Sequence, residues 1–170
     1  MKSTIVAVAG LIVCAIAGGS LAQSRRHIVG RRLGEQTRTD TRAGTTIDTV
    51  TLTFVGEDNG PVLTVDFITM YRGIGDPTTA PSAVDIVVTQ DPLNDDLPEM
   101  TLRVNGDVLP VVSRLHSRRS IVATVPFAEF VRLTNAQAVT EQAFDTELEF
   151  SPEQLRMLRS VAQRWSGRRG

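Results

Sequence analysis

The stretch TIDTVTLTFVGEDNGPVLTVDFITMY, residues 46–71, decides the fold. Two β-branched and aromatic runs, Thr46 to Glu57 and Val62 to Tyr71, flank Asp58-Asn59-Gly60. Asn-Gly favours a two-residue type I′ loop, because both central residues of that turn need positive φ. With Asn59 and Gly60 as the loop, Val50 faces Thr69, Leu52 faces Phe67 and Phe54 faces Val65. The bulky apolar side chains then share one face, the pattern of a sheet with one buried and one wet surface.

The same logic repeats around Asn105-Gly106, placing Leu102 opposite Leu109 and Met100 opposite Val111, with Arg103 and Val108 on the other face. Pro110 has no N–H to give a ladder, which marks the returning strand as an edge. Val84 to Thr89 and Ser120 to Val125 read as two further strands. The turn-rich Gly73-Ile74-Gly75-Asp76-Pro77 precedes the first of them, and Asp91-Pro92-Leu93-Asn94-Asp95-Asp96 follows it as a loop.

Helical spacing appears only late. Phe127, Phe130 and Val131 recur at i, i+3, i+4 behind Pro126, predicting a short amphipathic helix that Asn135 ends. Paired strands are expected from Ala138 to Phe150, with Phe144, Thr146, Leu148 and Phe150 on one face. Ser151-Pro152-Glu153-Gln154 combines an N-cap serine, proline at N1 and a glutamine placed to close a capping box. Leu155, Leu158, Val161, Ala162 and Trp165 then form one apolar stripe, and Gly167 ends the helix. Trp165 on that stripe reads as packing against a sheet rather than as a ligand contact. Runs of strands followed by helices predict a mainly β, antiparallel, sandwich-like domain with a short helix and a C-terminal amphipathic helix, the alternative being α+β.

The chain start has a different character. Met1-Lys2, the apolar run from Ile5 to Ile16 and the small residues Ala17 to Ala22 read as a signal peptide cut before Gln23. That run is shorter than the ~20 residues needed to span a bilayer, so no membrane span is expected after cleavage, although a retained anchor is the alternative. Residues 23–45 contain six arginines against Glu35 and Asp40, with no apolar periodicity, and read as a disordered basic linker. The folded domain is then expected over residues 46–166, with 167–170 as a tail. Residues 46–150 hold six arginines against sixteen acids, and residues 151–170 five arginines against Glu153. The basic ends read as a solvated linker and an exposed helix face, with no nucleic-acid motif beside them. Aromatics at 5% also argue against a stacking surface for single strands.

Cys14, within the signal, is the only cysteine, which excludes disulfides and thiolate chemistry from the mature chain. The two histidines are His27, in the proposed linker, and His116, in Leu115-His116-Ser117-Arg118-Arg119. His116 and Ser117 cannot form a dyad, because neighbours on an extended chain point apart; His116 reads as an exposed loop residue. Gly73-Ile74-Gly75 lacks the rest of a dinucleotide fingerprint, and two distant histidines make zinc implausible. Asp91, Asn94, Asp95 and Asp96 offer oxygen ligands for calcium but without the loop spacing such sites need. Arg114, Arg118 and Arg119 could clamp an anion, or simply solvate a loop between strands. No catalytic residue and no cofactor are expected from these patterns.

LRVNGDVLP at 102–110, SIVATVPFAEFVRLTNAQAV at 120–139 and LEFSPEQLRMLRSV at 148–161 resemble a pattern in uncharacterised secreted bacterial β-rich proteins with a C-terminal helix. The resemblance implies a short helix and a final helix flanking a strand pair, and carries no activity, cofactor or site residue. The leading expectation is an exported, non-enzymatic β-rich module that binds or supports an envelope or extracellular partner. An acid-pair hydrolase or lyase, and a small-ligand carrier with an apolar pocket inside the sandwich, are the alternatives.

Overall fold

Strict alternation of buried and half-buried residues along 45–54 and 63–69 shows two neighbouring strands that turn one face to a core. The computed structural model describes residues 26–29, 36–42, 44–55, 62–73, 77–91, 100–144 and 146–167. In chain order the elements are β1 (Arg26–Val29), β2 (Gln36–Arg42), β3 (Thr45–Val55), β4 (Val62–Arg72), β5 (Ala83–Asp91), β6 (Met100–Val104) and β7 (Asp107–Leu109). There follow β8 (Val112–Ser117), β9 (Ser120–Pro126), α1 (Phe127–Thr134), β10 (Val139–Ala143), β11 (Thr146–Glu149) and α2 (Pro152–Trp165).

The strands form two sheets, one of six in the order β2-β3-β4-β5-β9-β8 and one of five in the order β1-β11-β10-β6-β7. Among the described residues all pairings are antiparallel except β1 with β11, which is parallel. Cross-strand rows on the inner face of the larger sheet are apolar across its four central strands. Val50, Phe67, Ile86 and Ala123 make one row; Leu52, Val65, Val88 and Ile121 make the next. Met100, Leu102, Val104, Val139 and Leu148 from the smaller sheet join the same core, as do Phe130, Leu133, Leu158 and Trp165 from the helices. The fold is therefore mainly antiparallel β with two helices.

Aromatic rings bind the layers together. Phe150, just after β11, meets Phe54 and Phe67 of the larger sheet at 5.4 and 6.2 Å, and Phe67 meets Phe130 of α1 at 5.6 Å. Phe130 in turn lies 5.5 Å from Trp165 of α2. Each such pair adds about 0.5–1.5 kcal/mol beyond simple burial, so this chain of contacts couples sheet, helix and helix into one unit.

The hairpin around Asn105-Gly106 forms as its sequence demands: φ is +53° at Asn105 and +90° at Gly106, and Leu102 pairs with Leu109. Pro110 ends β7, so the ladder to β6 stops at the pair of Leu102 with Leu109, and the expected pair of Met100 with Val111 does not form; Met100 is paired with Ala143 of β10 on the other side of β6. The β3–β4 hairpin keeps the expected face but not the expected register. Val50 pairs with Phe67, Leu52 with Val65 and Phe54 with Leu63, a shift of two residues. The cause lies in residue 61. A two-residue loop at Asn59-Gly60 needs an N–H from that position to close the turn, and it is proline.

Two strands fall inside the stretch read as a linker. The sequence of β2, QTRTDTR, alternates threonine with charged residues and carries no apolar signal at all. Seven ladder pairs with β3 hold it, supplemented by side-chain bonds from Thr39 to Asp48 and between Thr41 and Thr46. β1 joins the other sheet beside β11. Phe144 also departs from expectation: it stands in the turn between β10 and β11 at φ +58°, a conformation that costs a bulky residue energy, with its ring buried.

Both helices follow their sequence signals. Asn135 caps α1, and Ser151 and Gln154 form a reciprocal capping box at the start of α2. Gly167, at φ +70°, lies so close to the Pro77 and Thr78 carbonyls that a Cβ would come within 2.9 Å of Pro77 O. The end of α2 is thereby packed onto the segment that leads into β5.

Candidate functional site

Of the basic residues singled out from the sequence, Arg114 sits on a strand, β8, while Arg118 and Arg119 form the turn that joins it to β9. β8 pairs with β9 alone among the described residues and so forms an edge of the larger sheet. Its burial pattern explains why periodicity missed it: only Ser113 is half-buried, and the other five residues are exposed. The ladder to β9 rather than apolar burial keeps it extended. Val112 is 87% exposed and Leu115 58%, and Val108 on β7 is 53% exposed. Only Pro110 and Val111 separate β7, at the edge of the smaller sheet, from β8, at the edge of the larger.

The register slips between Leu115 and Ser117, which places His116 at a β-bulge. Ser117 Oγ lies 2.7 Å from Ser120 Oγ and accepts a hydrogen bond from Arg119 N. That hydroxyl therefore closes the Arg118-Arg119 turn and is not presented to a base. Arg114, His116, Arg118 and Arg119 are all exposed, and Arg103, opposite Val108, adds a further cation on β6. The result is a bulged edge strand with apolar side chains among cations.

The other sequence candidates are scattered. Trp165 is fully buried, as packing required, and Gly73 N donates to Gly44 O. His27 lies on β1, in the other sheet from His116. Asp91 ends β5, while Asn94, Asp95, Asp96, Ile74 and Gly75 lie outside the described residues. No helix among the described residues is long and apolar enough to cross a membrane.

No family model, curated protein or solved structure matches the chain. Its chemistry is therefore read from its own side chains.

Among the described residues two carboxylates are buried, and neither stands out in the sequence. Asp48 stands on the inner face of β3 and is richly bonded: Thr39 Oγ1 donates to Oδ1 at 2.6 Å, and Tyr71 Oη and Trp165 Nε1 both donate to Oδ2 at 3.1 Å. It is the polar pin that fixes α2 to the sheet. Glu141, on β10, is its opposite. Its strand neighbours are Leu102 and Leu148, it is fully buried, and neither carboxyl oxygen has a hydrogen-bond partner. Desolvation raises its pKa from 4.5 to about 8, which holds the group protonated at neutral pH. Both were visible as polar residues at apolar positions of an alternating strand: Asp48 in line with Val50 and Leu52, Glu141 between Val139 and Ala143.

A groove of about 430 Å³ lies between the two helices, lined among others by Phe127, Val131, Thr134, Arg159 and Ala162. Beside it the two helices are joined by the ring contact of Phe130 with Trp165 and by the Arg159 bond to Thr134 O.

Proposed function

We propose that the chain is an exported, non-enzymatic binding module that takes an extended, acidic segment of a partner protein as an added strand along β8. The β8 edge carries this reading. An edge strand offers unpaired backbone N–H and C=O groups, and strand addition uses them for affinity while alternate side chains give selectivity. Val112 and Leu115 supply apolar contacts at that edge, and Arg114, Arg118 and Arg119 favour a negatively charged partner. The same cations disfavour pairing of β8 with a second β8, which would set like charges against each other. The signal-like residues 1–22 support an envelope or extracellular setting.

The test uses two labelled peptides, alternating Val-Glu and alternating Val-Lys, titrated into the purified chain and followed by anisotropy. The acidic peptide is expected to bind, to slow amide exchange in β8, and to lose affinity when its backbone is N-methylated. Arg114→Glu should weaken it about tenfold. Equal binding of the two peptides, or binding that N-methylation leaves untouched, overturns the reading.

A further inference from the structure

The groove between α1 and α2 is independent of the β8 edge and has a different chemistry. Its walls are Phe127 and Val131 from α1 and Ala162 from α2, with Ala80 at one side. Arg159 is the one charged residue among those lining it. The Arg159 Nη2 group donates to Thr134 O at 3.1 Å, which fixes the guanidinium, while its Nε is buried without an acceptor. Arg159 is half-buried and lines the groove, so a ligand there meets the outer part of the side chain rather than the enclosed Nε.

The end of α1 would ordinarily discourage an anion there, because the last carbonyls of a helix carry partial negative charge. Three of those carbonyls, at Val131, Leu133 and Thr134, already accept hydrogen bonds. Val131 O accepts from Thr134 Oγ1 and from Asn135 Nδ2, and Thr134 O accepts from Arg159 itself. What remains open is a trough of about 430 Å³, a size within the range of small-molecule sites, whose lining sets Phe127, Val131 and Ala162 beside Thr134, Asn135, Gln163, Ser166 and one guanidinium. A single guanidinium balances one negative charge, which favours a monocarboxylate over a phosphate dianion. We propose that this groove binds a small organic acid, its hydrocarbon body against Phe127, Val131 and Ala162 and its carboxylate on Arg159.

The experiment titrates the full chain with octanoate, octan-1-ol and inorganic phosphate. Binding is read by calorimetry and by the fluorescence of Trp165, the only tryptophan, which touches the groove wall through Phe130. Octanoate is expected to saturate, octan-1-ol to bind at least tenfold more weakly, and phosphate not to compete. Arg159→Gln should cost octanoate at least tenfold and leave octan-1-ol unchanged. Gln163→Glu, at an exposed lining residue where the fold has little at stake, should weaken octanoate severalfold by repulsion. Failure of octanoate to saturate, equal affinity for acid and alcohol, competition by phosphate, or indifference to both substitutions overturns the proposal.

Discussion

Replacing Glu141 by glutamine should make the protein more stable at neutral pH, by an amount the structure sets. In the folded state the carboxyl is fully buried between Leu102 and Leu148, and burial raises its pKa to about 8. In the unfolded chain it returns to 4.5. Below pH 4.5 both states hold the proton, and the group does not penalise folding. Between 4.5 and about 8 the unfolded chain releases the proton while the folded chain keeps it, so stability falls by ~1.4 kcal/mol per pH unit. Above the folded pKa both states are ionised and the loss levels off, at about 5 kcal/mol in total. At pH 7 the accumulated penalty is about 3 kcal/mol. Glutamine has the same shape and no proton to lose, so Glu141→Gln should recover about that amount at pH 7 and almost nothing at pH 4. Urea unfolding followed by Trp165 fluorescence at half-unit steps from pH 4 to 9 measures it, and the difference between variant and parent cancels every other titrating group. A difference that stays flat across that range, or a variant less stable than the parent at pH 7, refutes the reasoning.

Asp48→Ala should destabilise by about 3 kcal/mol or more, since it removes the acceptor of Trp165, Tyr71 and Thr39 together; Asp48→Asn, which keeps one oxygen, should cost less. Chemical unfolding of the two variants side by side checks the order. Gly167→Ala should cost more than Gly106→Ala. Both pay about 1 kcal/mol for positive φ, but only at 167 does the new methyl group meet a backbone carbonyl, and thermal unfolding should separate them. Ser151→Ala should lower stability by about 1 kcal/mol by opening the capping box, with the loss seen as faster amide exchange in the first turn of α2.

Elements whose local chemistry agrees with their burial were legible in the sequence. The Asn105-Gly106 turn, the Ser151 cap and the stripe from Leu155 to Trp165 each state their conformation within a few residues. The face of β3 and β4 was equally plain, and their register was missed only because the closing position of the turn is proline. β2 and β8 were invisible for a common reason. Both lie at sheet edges, where ladder bonding supplied by a distant strand decides the conformation and little apolar area is buried. The candidate site was half legible: its cations and His116 stood out, but not the strand that presents them. Glu141 and Arg159 matter through what surrounds them, and that is assembled from strands and helices remote in the chain.

The bond between Trp165 and Asp48 joins residues 117 positions apart. A ribosome making this polypeptide would complete the larger sheet's twelve inner-face core positions before the helix that packs on them exists. Until then the nascent ribbon shows a greasy flank and an acid lacking its indole partner. Premature termination anywhere before residue 165 should accordingly yield a sticky product dependent on chaperones rather than a smaller version of the native body.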